Sequence, residues 1–132
     1  MKKIDHVGIA VKDLNTTTKI FEKIFNTKTS SIEVVKSEKI KTTFLKIGES
    51  KIELLEDLNE DGVINKFINT KGEGIHHLAI EVDNILTEIK RLQEEGFSII
   101  NSNPSEGANG KLISFLHPKE TGGVLIELCQ KK

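Results

Sequence analysis

Two histidines and two glutamates carry the chemistry this sequence offers. His6 lies in Ile4-Asp5-His6-Val7-Gly8-Ile9-Ala10-Val11. His77 lies 71 residues later, in Ile75-His76-His77-Leu78-Ala79-Ile80-Glu81-Val82. Ile52-Glu53-Leu54 follows His6 by 47 residues, and Ile126-Glu127-Leu128 follows His77 by 50, counted from histidine to glutamate. A duplicated module with one histidine and one glutamate supplies two of each. Two imidazoles and two carboxylates make a full set of protein ligands for one borderline divalent ion such as Co2+, Mn2+, Ni2+ or Zn2+. On an octahedral ion they leave positions for a bidentate substrate, toward which the ion acts as a Lewis acid.

Each residue also has a plainer reading. A lone histidine in a strand is ordinarily a hydrogen-bonded structural group, and a glutamate in Ile-Glu-Leu is ordinarily the solvated side of a strand. Repetition weighs against both, because solvated positions have no reason to match in residue type and offset across two modules. His76 and His117 have no such counterpart and are read as structural.

The elements that must position these residues follow from periodicity. Residues 4–11 alternate, with Asp5, Val7, Ile9 and Val11 as the packing face and Ile4, His6, Gly8 and Ala10 opposite. Asp13 is an N-cap for a helix carrying Leu14, Phe21, Ile24 and Phe25. Strands are expected near 28–36, 40–47 and 51–56, followed by a short helix over about 61–72 with Val63, Ile64, Phe67 and Ile68. The Gly72-Glu73-Gly74 segment divides module one, about 1–58, from module two, about 74–132. The second half repeats the plan. A strand over 75–82 precedes a helix capped by Asp83 or Asn84, with Ile85, Leu86, Ile89 and Leu92 on one face and Gly96 as its stop. Further strands are expected near 97–101, 111–117 and 123–129. Asn101–Gly110, rich in Asn, Ser and Gly, reads as a long mobile loop of the kind that covers ligands. The expected fold is α+β: two paired βαβββ modules in one domain, forming a curved, barrel-like mixed sheet around a metal site. His6, Glu53, His77 and Glu127 all fall on the face away from the helices.

Composition excludes some function classes. The 132 residues carry a net charge of −1, so no bulk attraction to nucleic acid or membrane is implied. A single cysteine, Cys129, makes an internal disulfide framework impossible and fits a reducing compartment. Met1-Lys2-Lys3 leads directly into a strand, and no apolar run is long enough for a signal peptide or a membrane span. A cytoplasmic protein is the expectation.

Three segments resemble the methylmalonyl-CoA epimerases of the vicinal oxygen chelate superfamily. They are Ile4 to Val11, Gly72-Glu73-Gly74-Ile75-His76-His77 through Asp83, and Phe115-Leu116-His117-Pro118-Lys119 continuing through Thr121-Gly122-Gly123 to Leu128. The resemblance covers essentially the whole chain. It implies metal ligands at His6, Glu53, His77 and Glu127, with Co2+ as the expected ion. It also implies interconversion of (2R)- and (2S)-methylmalonyl-CoA through a metal-stabilised enolate, the thioester carbonyl and the carboxylate both binding the metal. The partner it implies is an acyl-CoA, with a homodimer as the assembly to test. Lys119 and the loop from Ser102 to Gly110 become candidates for contacting the coenzyme A portion or the substrate carboxylate.

One departure matters. Some members carry a second catalytic glutamate on the third strand, where this chain has Thr42, which is no proton acceptor. The acid–base pair expected instead is Glu53 with Glu127. Rival readings are glyoxalase I, a ring-cleaving dioxygenase using two histidines and one carboxylate on Fe(II), and a resistance protein that sequesters a ligand without metal. The His117-Pro118-Lys119 and Gly122-Gly123 text, with Glu53 as a fourth ligand, favours the epimerase.

Overall fold

The computed structural model describes residues 1–132. Its contacts divide the chain into two units, His6–His76 and Met1–Asp5 with His77–Lys132. The first unit contains β1 (Lys3–Ala10, less its first residues), α1 (Leu14–Phe25), β2 (Glu33–Val35), β3 (Ile40–Ile47), β4 (Ser50–Asp57) and α2 (Val63–Lys71). Its strands lie in the order β2-β3-β4-β1, with β1 parallel to β4 and the other pairs antiparallel. The second unit is formed by β5 (Gly74–Glu81, from His77 on), α3 (Ile85–Glu94), β6 (Ser105–Glu106), β7 (Leu112–Leu116) and β8 (Ile126–Gln130). Its order is β5-β8-β7-β6, again with one parallel pair, β5 with β8. The expected mixture of helices and a mixed sheet is therefore present, and each half carries the repeated plan.

The first five residues group with the second unit for a local reason. The Lys2 backbone N–H donates to the Glu81 carbonyl at 2.8 Å, and the Lys111 ammonium donates to Asp5 Oδ2 at 2.7 Å. Asp5 stands on the apolar face of β1 and is only 1% exposed, so this is a buried ion pair.

Each helix is tied to its sheet in the same way. Asp13 caps α1 by accepting from the Thr16 N–H, and Asn84 caps α3 by accepting from the Thr87 N–H. The first helical N–H of each is satisfied by a side chain three residues beyond the glutamate: Leu14 by Glu56 and Ile85 by Gln130, both at 2.8 Å or less. Val11, Leu14, Leu45 and Leu54 form the core beneath α1, with Ile9, Phe21 and Ile52. Val82, Ile85, Ile89, Leu92, Leu116 and Leu128 form the core beneath α3. These cores confirm Ile52 with Leu54, and Ile126 with Leu128, as the helix-side faces of β4 and β8.

Several expectations are corrected. Ile24, Phe25, Val63 and Leu86 are exposed: the buried stripe of each helix is narrower than its apolar spacing, with Leu14 buried on α1, Ile64 and Ile68 on α2, and Ile85, Ile89 and Leu92 on α3. Val124, expected with Ile126 and Leu128 on the core face around Glu127, is exposed as well. The segment 28–36 yields only the three residues of β2, and 97–101 only a single bridge between Ile99 and Leu116. The loop Asn101–Gly110 is not plain coil: Ser105–Glu106 pairs with β7, and Ala108–Gly110 makes a 3-10 turn. No helix is long and apolar enough to cross a membrane.

Candidate metal centre

Parallel pairing sets the geometry in the first unit. Glu53 on β4 lies opposite Gly8 on β1, and His6 is two residues before Gly8 on the same strand face. Gly8 offers no side chain between them, so the carboxylate reaches the imidazole: Nε2 of His6 is 3.2 Å from Oε1 of Glu53. On the other side of Glu53 its register partner is Phe44 of β3, whose ring stands edge-on to His6 with centroids 5.7 Å apart.

The second unit repeats this arrangement with Ala79 in the place of Gly8. Glu127 lies opposite Ala79, two residues beyond His77, and Nε2 of His77 is 3.5 Å from Oε1 of Glu127. Phe115 is the register partner of Glu127 and stands edge-on to His77 at 6.3 Å. Phe44 and Phe115 are separated by the same 71 residues as the histidines. The duplication therefore extends to the aromatic residue beside each glutamate.

Burial excludes the solvated reading of the glutamates. His6, Glu53, His77 and Glu127 are 5%, 4%, 3% and 5% exposed. Placing a carboxylate in an apolar setting costs several kcal/mol unless it is paired, about the scale on which a bound cation repays it. Each unit thus offers a divalent ion one imidazole and one carboxylate. The donor chemistry, imidazole nitrogen with carboxylate oxygen in each unit, fits that ion.

Glu53 has a further partner. Thr42, fully buried, donates its hydroxyl to Oε2 of Glu53 at 2.8 Å and lies 2.9 Å from the Leu54 carbonyl oxygen. Sequence reasoning treated Thr42 only as the place of a missing base. It also gave no role to the Asp5–Lys111 pair.

The remaining histidines are structural, as expected. His76 packs edge-on against Phe67 with centroids 4.9 Å apart. His117 accepts the Lys119 N–H at Nδ1 and so starts the 3-10 turn Pro118–Glu120. That turn leaves Lys119 exposed, and Gly122 and Gly123 complete it with φ of 70° and 87°, values that favour glycine. Cys129, on the glutamate face of β8, is fully buried against Ala79 and Ile113. Burial, then the nearby Asp5 carboxylate, pushes its thiol up to about 12.

Residues 5–115 match the family model described as the Glyoxalase/Bleomycin resistance protein/Dioxygenase superfamily. An ethylmalonyl-CoA/methylmalonyl-CoA epimerase of Cereibacter sphaeroides is 36% identical over 131 residues, covering 97% of each chain. Among solved structures, a hypothetical protein from Bacillus halodurans has a TM-score of 0.95 at 45% identity, covering 98% of this chain and 94% of that one. A methylmalonyl-CoA epimerase in complex with methylmalonyl-CoA and NH4+ has a TM-score of 0.95 at 31% identity, covering 99% of this chain and 95% of that one.

Proposed function

From the chain's membership in the glyoxalase/bleomycin resistance/dioxygenase superfamily, and within it in the methylmalonyl-CoA epimerase family, we propose that it interconverts (2R)- and (2S)-methylmalonyl-CoA. The observation that carries the reading is the buried His–Glu pair present in both units, on a chain aligned end to end with epimerases. His6, Glu53, His77 and Glu127 would hold one divalent ion, with Co2+ first among Co2+, Mn2+, Ni2+ and Zn2+. When bound, that ion supplies Lewis-acid stabilisation of the enolate oxygen.

The chain's own groups move the proton. Epimerisation beside a thioester removes the proton from C2 on one face and returns one on the other, which two carboxylates can do. Glu127 would serve one face and Glu53 the other. Thr42 removes the third-strand base from consideration and leaves these two. Lys119, exposed on its turn, provides a cation for the substrate carboxylate or the coenzyme A phosphates. The working compartment is the cytoplasm, consistent with one buried thiol, and a homodimer is the assembly to test.

The test follows (2R)-methylmalonyl-CoA in D2O, with and without a chelator. Epimerisation that needs the metal and carries deuterium into C2 supports the proposal. Metal-loaded protein without exchange overturns it, and turnover of the methylglyoxal–glutathione adduct instead would favour glyoxalase I.

A further inference from the structure

Thr42 marks a difference in kind between two otherwise closely matched sites. It stands two residues before Phe44 on β3, and its register partner is Leu55, two residues beyond Glu53. The same position on β7 is Ile113, two residues before Phe115 and opposite Cys129. A hydroxyl therefore faces the glutamate in one unit and an aliphatic side chain occupies its place in the other.

The two oxygens of Glu53 are addressed from different sides. Oε1 is the atom near His6 Nε2, while Oε2 accepts from Thr42. A hydroxyl has one hydrogen, and Thr42 has two acceptors within reach, Oε2 and the Leu54 carbonyl. The ionised carboxylate is the stronger acceptor and takes that hydrogen. Thr42 itself is locked, being fully buried on a central strand and β-branched at χ1. It can therefore hold an acceptor in place without moving.

From this juxtaposition we infer that Thr42 is a positioning residue for Glu53: it anchors Oε2, so that Oε1 alone serves as ligand atom and proton-accepting atom. The inference rests on the epimerase reading and deepens it. The Thr42 bond would keep the carboxylate beside the substrate rather than letting it swing away. The C2 proton then passes to Oε1, and its bonding pair stays on the substrate as the enolate. A residue that looked like the loss of a base becomes the support that lets a ligand act as one.

The test compares Thr42→Val, which keeps the shape and removes the donor, with Thr42→Ser, which restores it. In Thr42→Val, kcat falls on the order of tenfold with KM little changed, the scale of one hydrogen bond to a charged group. Loaded with Co2+, Thr42→Val binds one equivalent but shows an altered visible d–d spectrum, because the Glu53 carboxylate is no longer held. Thr42→Ser recovers both kcat and spectrum. Wild-type kcat and spectrum in Thr42→Val overturn the inference, as does a Thr42→Ser protein as impaired as Thr42→Val. Thr42→Cys, a weaker donor, takes the place of Thr42→Val if that variant does not fold. Absence of exchange in the wild-type protein would sink the epimerase reading, while the Co2+ spectra would still decide whether Thr42 holds Glu53.

Discussion

Glu53 sits opposite Gly8, not His6, on the neighbouring parallel strand, and its Oε1 still lies 3.2 Å from the His6 Nε2. The two-residue offset is what lets a strand glutamate and a strand histidine meet, across a residue with no side chain here and a small one in the second unit. His77 and Glu127 meet across Ala79 by the same offset.

That relationship makes the glutamates the most informative substitutions. Glu53→Gln and Glu127→Gln should each lower epimerisation by about 100-fold or more, the usual worth of a general acid–base group. Rates of C2 deuterium incorporation and metal content of the purified variants, read together, check this. A fully active, metal-loaded Glu53→Gln would remove Glu53 from the proton-transfer pair.

The Asp5–Lys111 pair is buried and far apart in sequence, so its loss is felt by the fold. Lys111→Met should destabilise the protein by about 3–5 kcal/mol, because a buried carboxylate loses its 2.7 Å partner. Asp5→Asn combined with Lys111→Met should recover part of that loss. Urea unfolding measures both, and a change below about 1 kcal/mol in Lys111→Met would contradict the assignment.

Cys129 should be inert in the native protein. Its thiol is pushed from 9.0 up to about 12, first by burial and then by Asp5, so it remains protonated at any ordinary pH. Iodoacetamide should label it only after unfolding. The unfolded thiol ionises first, so the stability linked to this group is full below pH 9.0. It is lost as pH rises from there toward about 12. Rapid native labelling at pH 8 would show that the thiol is reached by some local opening.

The α1 cap should leave an acid signature. Hydrogen bonds from the Thr16 backbone N–H and then its hydroxyl hold Asp13 below its ordinary 3.8. A lowered carboxyl stabilises above its unfolded value and loses that contribution as pH falls through the folded one. Asp13→Ala should lower the melting temperature by a few degrees at pH 7, with the gap to wild type closing as pH drops below 3.8. A gap that persists undiminished at pH 2 would rule out the charged cap as its source.

Much of the site was legible because duplication leaves a trace that chance does not. The offset of 71 residues links His6 to His77, Asp13 to Asn84 and Phe44 to Phe115. The glutamates fall three residues outside that offset, because the β7–β8 connection, with its 3-10 turn and two glycines, is longer than the turn between β3 and β4. Alternation along β4 and β8 correctly separated Glu53 and Glu127 from their helix-facing neighbours. Alternation gives only the face, and it is the fold that buries both glutamates there. Helix faces were read too broadly: Ile24 and Leu86 have spacings compatible with a core face, yet both are exposed.

The sequence alone determined which residue types recur, at what spacing, and hence a donor set suited to one divalent ion. Those are properties of order along the chain, and periodicity reports them directly. Tertiary structure decided the pairings between residues distant in order: His6 with Glu53 across Gly8, Lys111 with Asp5, and Thr42 with Glu53 Oε2. Strand register fixes such pairings, and a shift of one residue would turn every one of these side chains to the opposite face. Thr42 shows the difference most clearly. In the sequence it marks a missing base, and in the fold it is the donor that holds the glutamate in place.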